Sequence, residues 1–164
     1  MIDRPLVYPF YEEAHVRRGR TVQRPVVLVS IGDPNLTFDA LVDSGSEHVL
    51  ADSTLAFAAG INLSDPIDIE EIGLGGGVVE ARFMPVTGYL HPPTSADLEP
   101  IAWDLDVGFI DGWRPLYPCI LGNVGFLDRF TVTISRFAQA TAIESVEVFD
   151  DRFGLPQPGF GHSK

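Results

Sequence analysis

The stretch Ala40-Leu41-Val42-Asp43-Ser44-Gly45-Ser46 decides how the chain reads. An apolar strand end runs straight into a carboxylate, a hydroxyl and a glycine, which puts Asp43 at a strand-to-loop junction with its base buried. Asp, Ser and Gly are turn residues, so the triplet by itself fits an ordinary β-turn. Its surroundings carry the argument further. Upstream, Pro25 to Ile31 (PVVLVSI) is dense in β-branched residues. After the Gly32-Asp33-Pro34-Asn35 turn, Leu36, Phe38, Ala40 and Val42 alternate with polar or small neighbours. Two strands joined as a hairpin follow. Downstream, Ser53 to Ala59 is the clearest helix candidate, with Asp52 or Ser53 as N-cap and Gly60 as its stop. Ile67 to Ile72 and Val78 to Val86 read as strands flanking Gly73-Leu74-Gly75-Gly76-Gly77, a hairpin with a mobile glycine tip. Further strands are expected at Ile101 to Ile110, at Cys119 to Gly122, at Phe130 to Ile134 and at Thr141 to Phe149, with a helical turn over Asn123 to Asp128.

Thirteen prolines and sixteen glycines spread along 164 residues punctuate short apolar runs and leave little room for helix, so the class is all-β. The length suits one domain with a sizeable core. We expect a partly irregular N-terminal segment over 1–23, the domain proper over 24–149 and a flexible tail over 150–164. His91 to Pro100 (HPPTSADLEP) reads as a surface loop. The formal net charge of −12 repels phosphate backbones and anionic lipid, so neither nucleic acid nor a membrane is an expected partner. Cys119 is the single cysteine, which excludes an intramolecular disulfide and thiolate-rich zinc sites. With no signal-peptide pattern at Met1-Ile2-Asp3-Arg4-Pro5 and no long apolar run, the expected location is cytoplasmic. His15, His48, His91 and His162 form no ligand pair at metal-binding spacing, so no metal and no cofactor is expected.

Three marks stand in order along the chain: Leu41-Val42-Asp43-Ser44-Gly45, the glycine run Gly73 to Gly77, and Ile120-Leu121-Gly122. In this it resembles the retropepsin-like aspartic peptidases over about residues 24 to 148. The resemblance implies a closed barrel of short strands, a glycine-rich flap and one or two short helices. It also implies peptide hydrolysis, in which one carboxylate polarises a water and another returns the proton. Two carboxylates about 3 Å apart can share one proton. Only one such Asp is present, so the implied enzyme is a homodimer in which two copies of Asp43 meet across a twofold axis.

By the same resemblance Ser44 donates its hydroxyl across that axis, and Gly45 lets the two backbones approach closely. Ser46 is expected to hydrogen-bond the outer oxygen of Asp43. An extended peptide substrate would lie along Gly73, Leu74, Gly75, Gly76 and Gly77 of the flap and against Ile120, Leu121 and Gly122. Glu70-Glu71 reads as a solvated pair, or as a bias against acidic substrates if it sits on the flap stem.

Rival readings are weaker. The glycine run lacks the third glycine of a dinucleotide fingerprint and leads into strand instead of helix. Ser44 or Ser46 with His48 lacks the Gly-x-Ser-x-Gly elbow, since Val42 stands two before Ser44. The alternative that sequence does not separate is the same fold without catalysis, as a dimerisation or peptide-binding module.

Overall fold

The computed structural model describes residues 2, 4–15, 20–93 and 98–154. In chain order these form β1 (Leu6–Pro9), β2 (Tyr11–His15), β3 (Arg20–Arg24), β4 (Val26–Ile31), β5 (Phe38–Val42) and β6 (Val49–Asp52). Helix α1 (Ser53–Ala58), β7 (Asp68–Leu74), β8 (Gly77–Leu90), β9 (Ile101–Ile110) and β10 (Cys119–Leu121) follow. The chain continues through β11 (Thr131–Ser135) and β12 (Ala140–Glu144) to α2 (Val146–Phe153). The all-β class holds, with 51% of the described residues in strands. No helix among the described residues is long and apolar enough to cross a membrane.

Six strands close a barrel in the order β4-β5-β10-β6-β9-β8, with β8 returning to pair with β4 through Val29↔Leu90 and Ile31↔Gly88. Closure leaves these six without a free edge. Strand β7 hangs outside the ring on β8, and the two form the expected hairpin, turning at Gly75 and Gly76. Both glycines hold positive φ, +60° and +87°, a region that side chains with a Cβ rarely adopt.

One feature of this ring shapes everything at the site. Strands β5 and β6 follow one another in sequence but are not neighbours, because β10 lies between them, parallel to β5 and antiparallel to β6. The loop from β5 to β6 must therefore cross the end of β10. Alternation makes β10 suit this place: Cys119 and Leu121 are fully buried, while Ile120 between them is only partly covered.

The core is filled by Val27, Val29, Val42, Val107, Phe109 and their neighbours. Phe109 and Phe126, each 2% exposed or less, are the kind of side chain whose burial stabilises by about 1.5–3 kcal/mol. Trp103, Phe126 and Phe130 stack as an aromatic trio with ring centroids 5.1–5.9 Å apart, and the Trp103 indole N–H donates to the Gly125 carbonyl at 2.8 Å. That trio pins the segment after β10 against β9.

Four expectations need correcting. The described residues of the N-terminal segment expected to be partly irregular are largely in strands: β1 joins β12 and β11 in a three-stranded sheet, and β2 pairs with β3. The strand expected over Thr141 to Phe149 stops at Glu144. Ser145 caps α2 by accepting from Val148 N–H, and the Arg152 side chain returns to the buried Glu144 carboxylate, so β-branched Val146 and Val148 are helical. No helix forms over Asn123 to Asp128. Gly125 at φ +97° interrupts it, and Leu127 and Asp128 N–H reach back five residues to Gly122 and Asn123 carbonyls. The helix at Ser53 ends at Ala58, with Asp52 as cap accepting from Thr54 N–H at 2.9 Å. Within the His91 to Pro100 loop, 94–97 lie outside the described residues, as do 155–164 of the tail and His162 with them.

Candidate active site

Asp43 leaves the end of β5 with its N–H donating to the Leu121 carbonyl at 3.1 Å, the last rung between the loop and β10. The loop then folds tightly on itself. Ser46 N–H closes a turn on the Asp43 carbonyl at 3.1 Å, and Gly45 N–H donates to Asp43 Oδ1 at 2.8 Å. The carboxylate is thus held by the backbone two residues ahead of it, as short polar side chains in turns commonly are. Ser44 stands exposed beside it. The Ser46 hydroxyl does not reach the Asp43 carboxylate as expected; it donates instead to the His48 carbonyl at 2.8 Å, because the loop carries it toward β6.

The far side of this loop is fastened by the residues that follow β10. Asn123 N–H and Val124 N–H donate to the carbonyls of Ser46 and Glu47 at 2.9 and 2.7 Å. The Asn123 side-chain amide donates to the carbonyls of Ser44 and Ser46 at 3.1 and 2.9 Å. Gly122 lies so close that a Cβ there would sit 2.2 Å from the His48 carbonyl oxygen. The glycine of Ile120-Leu121-Gly122 is what permits this approach.

Over the loop hangs the β7–β8 hairpin, and between them lies a cavity of about 350 Å³. Of the residues singled out from sequence, it collects Asp43, Gly45, Ser46, Gly73, Leu74 and Ile120. The others lie elsewhere. Gly75, Gly76 and Gly77 stand exposed at the hairpin tip, Leu121 is buried in the core, and Gly122 packs against the loop backbone.

Glu70 and Glu71, read from sequence as a solvated pair or a charge bias on the flap stem, belong to the remaining wall; what sequence reasoning missed is how His48 and Glu47 join them. His48 sits just before β6 with its Nε2 3.5 Å from Glu70 Oε2 on β7 and its ring edge-on to Phe83 of β8 at 5.0 Å. Glu47 and Glu71 line the same space. No linear signal joins His48 to Glu70, because only the hanging of β7 over the loop brings them together. Asn123 was legible only as the residue after an apolar-apolar-Gly triplet.

Among solved structures, the chain is similar to EIAV protease complexed with the inhibitor HBY-793, at 22% identity and a TM-score of 0.38, over 61% of this chain and 82% of that one. No family model matches the chain, and no curated protein matches it.

The chemistry of the wall is carboxylate-rich: Asp43, Glu47, Glu70 and Glu71 face the cavity, with His48 as the one basic side chain. Among the described residues no group of three or more His, Cys, Asp or Glu side chains is placed to hold a metal ion. Cys119, next to Ile120, is fully buried, and that burial pushes its thiol well above the ordinary range, so it is no nucleophile. The Asp43 carboxylate, anchored by the Gly45 N–H, shares this cavity with residues of the glycine-tipped hairpin.

Proposed function

We propose that this chain is an aspartic endopeptidase of the retropepsin-like kind, active as a homodimer to which each protomer contributes one Asp43. The observation that carries the reading is the shared cavity: Asp43 and the hairpin residues Gly73 and Leu74 line one space, so a segment bound beneath the hairpin lies against the carboxylate. One Asp-Ser-Gly per chain supplies one carboxylate, and the second comes from another copy across a twofold axis. The pair then shares a proton; the ionised member polarises the attacking water and the protonated one donates to the substrate carbonyl. Exposed Ser44 is free to meet the partner loop.

The substrate is an extended peptide that adds as a strand to the hairpin, with Ile72, Leu74 and Ile120 offering apolar contact to its side chains. The hairpin acts as a flap that closes over it and excludes water.

Asp43→Asn keeps the side-chain shape and removes the base. Assayed on a peptide library beside the parent, it should lose all turnover while the fold and the dimer persist. Equal turnover by the variant refutes the reading. Sedimentation from about pH 4 to 8, at low and high salt, tests the dimer, since association that traps a shared proton strengthens as pH falls. A strict monomer throughout refutes the dyad. A parent protein that is inactive and also fails to bind a statine-type inhibitor is a peptide-binding module instead.

A further inference from the structure

Asp43, Ser44, Gly45 and Ser46 form a four-residue turn closed by Ser46 N–H on the Asp43 carbonyl. Its central peptide unit runs from Ser44 to Gly45. With glycine at the third position, such a turn has two nearly equivalent forms that differ by a flip of this central peptide, and the flipped form needs positive φ at that residue, which glycine accepts. In the structure Gly45 is not among the glycines with positive φ. The form present points Gly45 N–H at Asp43 Oδ1, 2.8 Å away. The flipped form would turn that N–H away and leave the carboxylate without this donor.

What holds the peptide in place is on the opposite side of the loop. The oxygen of the same peptide unit, Ser44 C=O, accepts from Asn123 Nδ2 at 3.1 Å. The other proton of that amide goes to Ser46 C=O at 2.9 Å, and Asn123 N–H donates to the same oxygen at 2.9 Å, so the amide is fixed in orientation. We infer that Asn123 is a positioning residue for Asp43: by gripping the Ser44 carbonyl it locks the Ser44–Gly45 peptide in the form whose N–H binds the carboxylate. Donation to the carbonyl end of a peptide also strengthens donation from its N–H end, since chained hydrogen bonds polarise one another. Asn123 touches neither the carboxylate nor the cavity. It acts only through one peptide plane.

As a role in catalysis this rests on the peptidase reading above, but its geometry does not, and the test needs no turnover. Asn123→Leu keeps the side-chain shape at an exposed position and removes both donors; Asn123→Asp keeps the outline but sets acceptors against two carbonyls. Nuclear magnetic resonance then follows the Gly45 amide and the Asp43 carboxyl carbon in parent and variants. In both variants Gly45 amide exchange should accelerate about fivefold or more, the equivalent of one lost hydrogen bond. The Asp43 carboxyl-carbon signal should move in both variants, since the carboxylate loses the Gly45 N–H that faces it. A side chain that merely stabilises the fold lowers the melting temperature and leaves both Gly45 and Asp43 unmoved; that result overturns the inference. A parent protein without peptidase activity whose Gly45 and Asp43 signals still respond refutes the enzyme and keeps Asn123 in this role.

Discussion

Replacing Gly122 by alanine tests the crossing of the Asp43 loop over β10 most directly. The added Cβ would lie 2.2 Å from His48 O, 2.7 Å from His48 C and 2.8 Å from Ser46 O, and all three are backbone atoms that no rotamer change can remove. Reaching a tolerable 3.0 Å from the closest of them opens the seam by 0.8 Å, the difference of the two distances. The bonds across that seam, Asn123 N–H to Ser46 O at 2.9 Å and Val124 N–H to Glu47 O at 2.7 Å, would then stretch beyond useful range. Two backbone hydrogen bonds at about 1 kcal/mol each, with about 1–3 kcal/mol for overpacking, give a loss of about 3–5 kcal/mol. For a chain of this size that lowers the melting temperature by roughly 6–20 °C. Urea and thermal unfolding followed by Trp103 and Trp113 fluorescence measure it, with Gly73→Ala as control because a Cβ there meets nothing within 4 Å. A Gly122→Ala loss below about 1 kcal/mol, or one equal to the control, refutes the seam argument.

Three further outcomes are expected. Glu70→Gln should leave the melting temperature within about 4 °C, as partly exposed polar contacts of this kind contribute at most about 1 kcal/mol, yet hydrogen exchange over 70–80 should quicken as His48 loses its carboxylate partner; unchanged exchange would mean the contact holds nothing. His91, whose ring pairs with the buried Ser30 hydroxyl, is held below its ordinary range by burial. The native state therefore resists a proton that the unfolded chain accepts, so this contribution is complete above about pH 6.5 and fades as pH falls below it. His91→Gln should flatten the urea midpoint between pH 7 and 5.5; an unaltered slope would assign the acid sensitivity elsewhere. Cys119 should react with a thiol reagent only at the rate of global unfolding, and fast labelling of the native protein would contradict its burial.

Local chemistry was readable in the sequence where one face or one turn decides. β-Branching placed β4 and alternation placed β5, the glycine run placed the β7–β8 turn, and a cap at Asp52 or Ser53 announced α1. The Asp43 loop could be located for the same reason, as a polar turn at an apolar strand end. Reading failed where two segments compete for one identity. Ser145 could continue a β-branched run or cap a helix, and only the return of Arg152 to Glu144 decides. It failed again where parts distant in sequence meet: the insertion of β10 between β5 and β6 brings Asn123 to Ser44, and the hanging of β7 brings Glu70 to His48. Neither meeting leaves a periodicity to find.

The length of β8 has a mechanical consequence. Its fourteen residues run unbroken from the hairpin tip to the closing seam of the barrel, paired with β7 as far as Phe83, with β9 from Ala81 on, and with β4 at its end. Such a ribbon is a cantilever. Only Gly77 to Glu80 project beyond the clamp, roughly 13 Å at about 3.3 Å per residue. Bending concentrates at its root, where Ala81 faces Ile110 and is wholly buried. A load at the tip is carried along one continuous beam into β9 and β4, so anything that lifts or presses the hairpin strains the staves of the barrel itself.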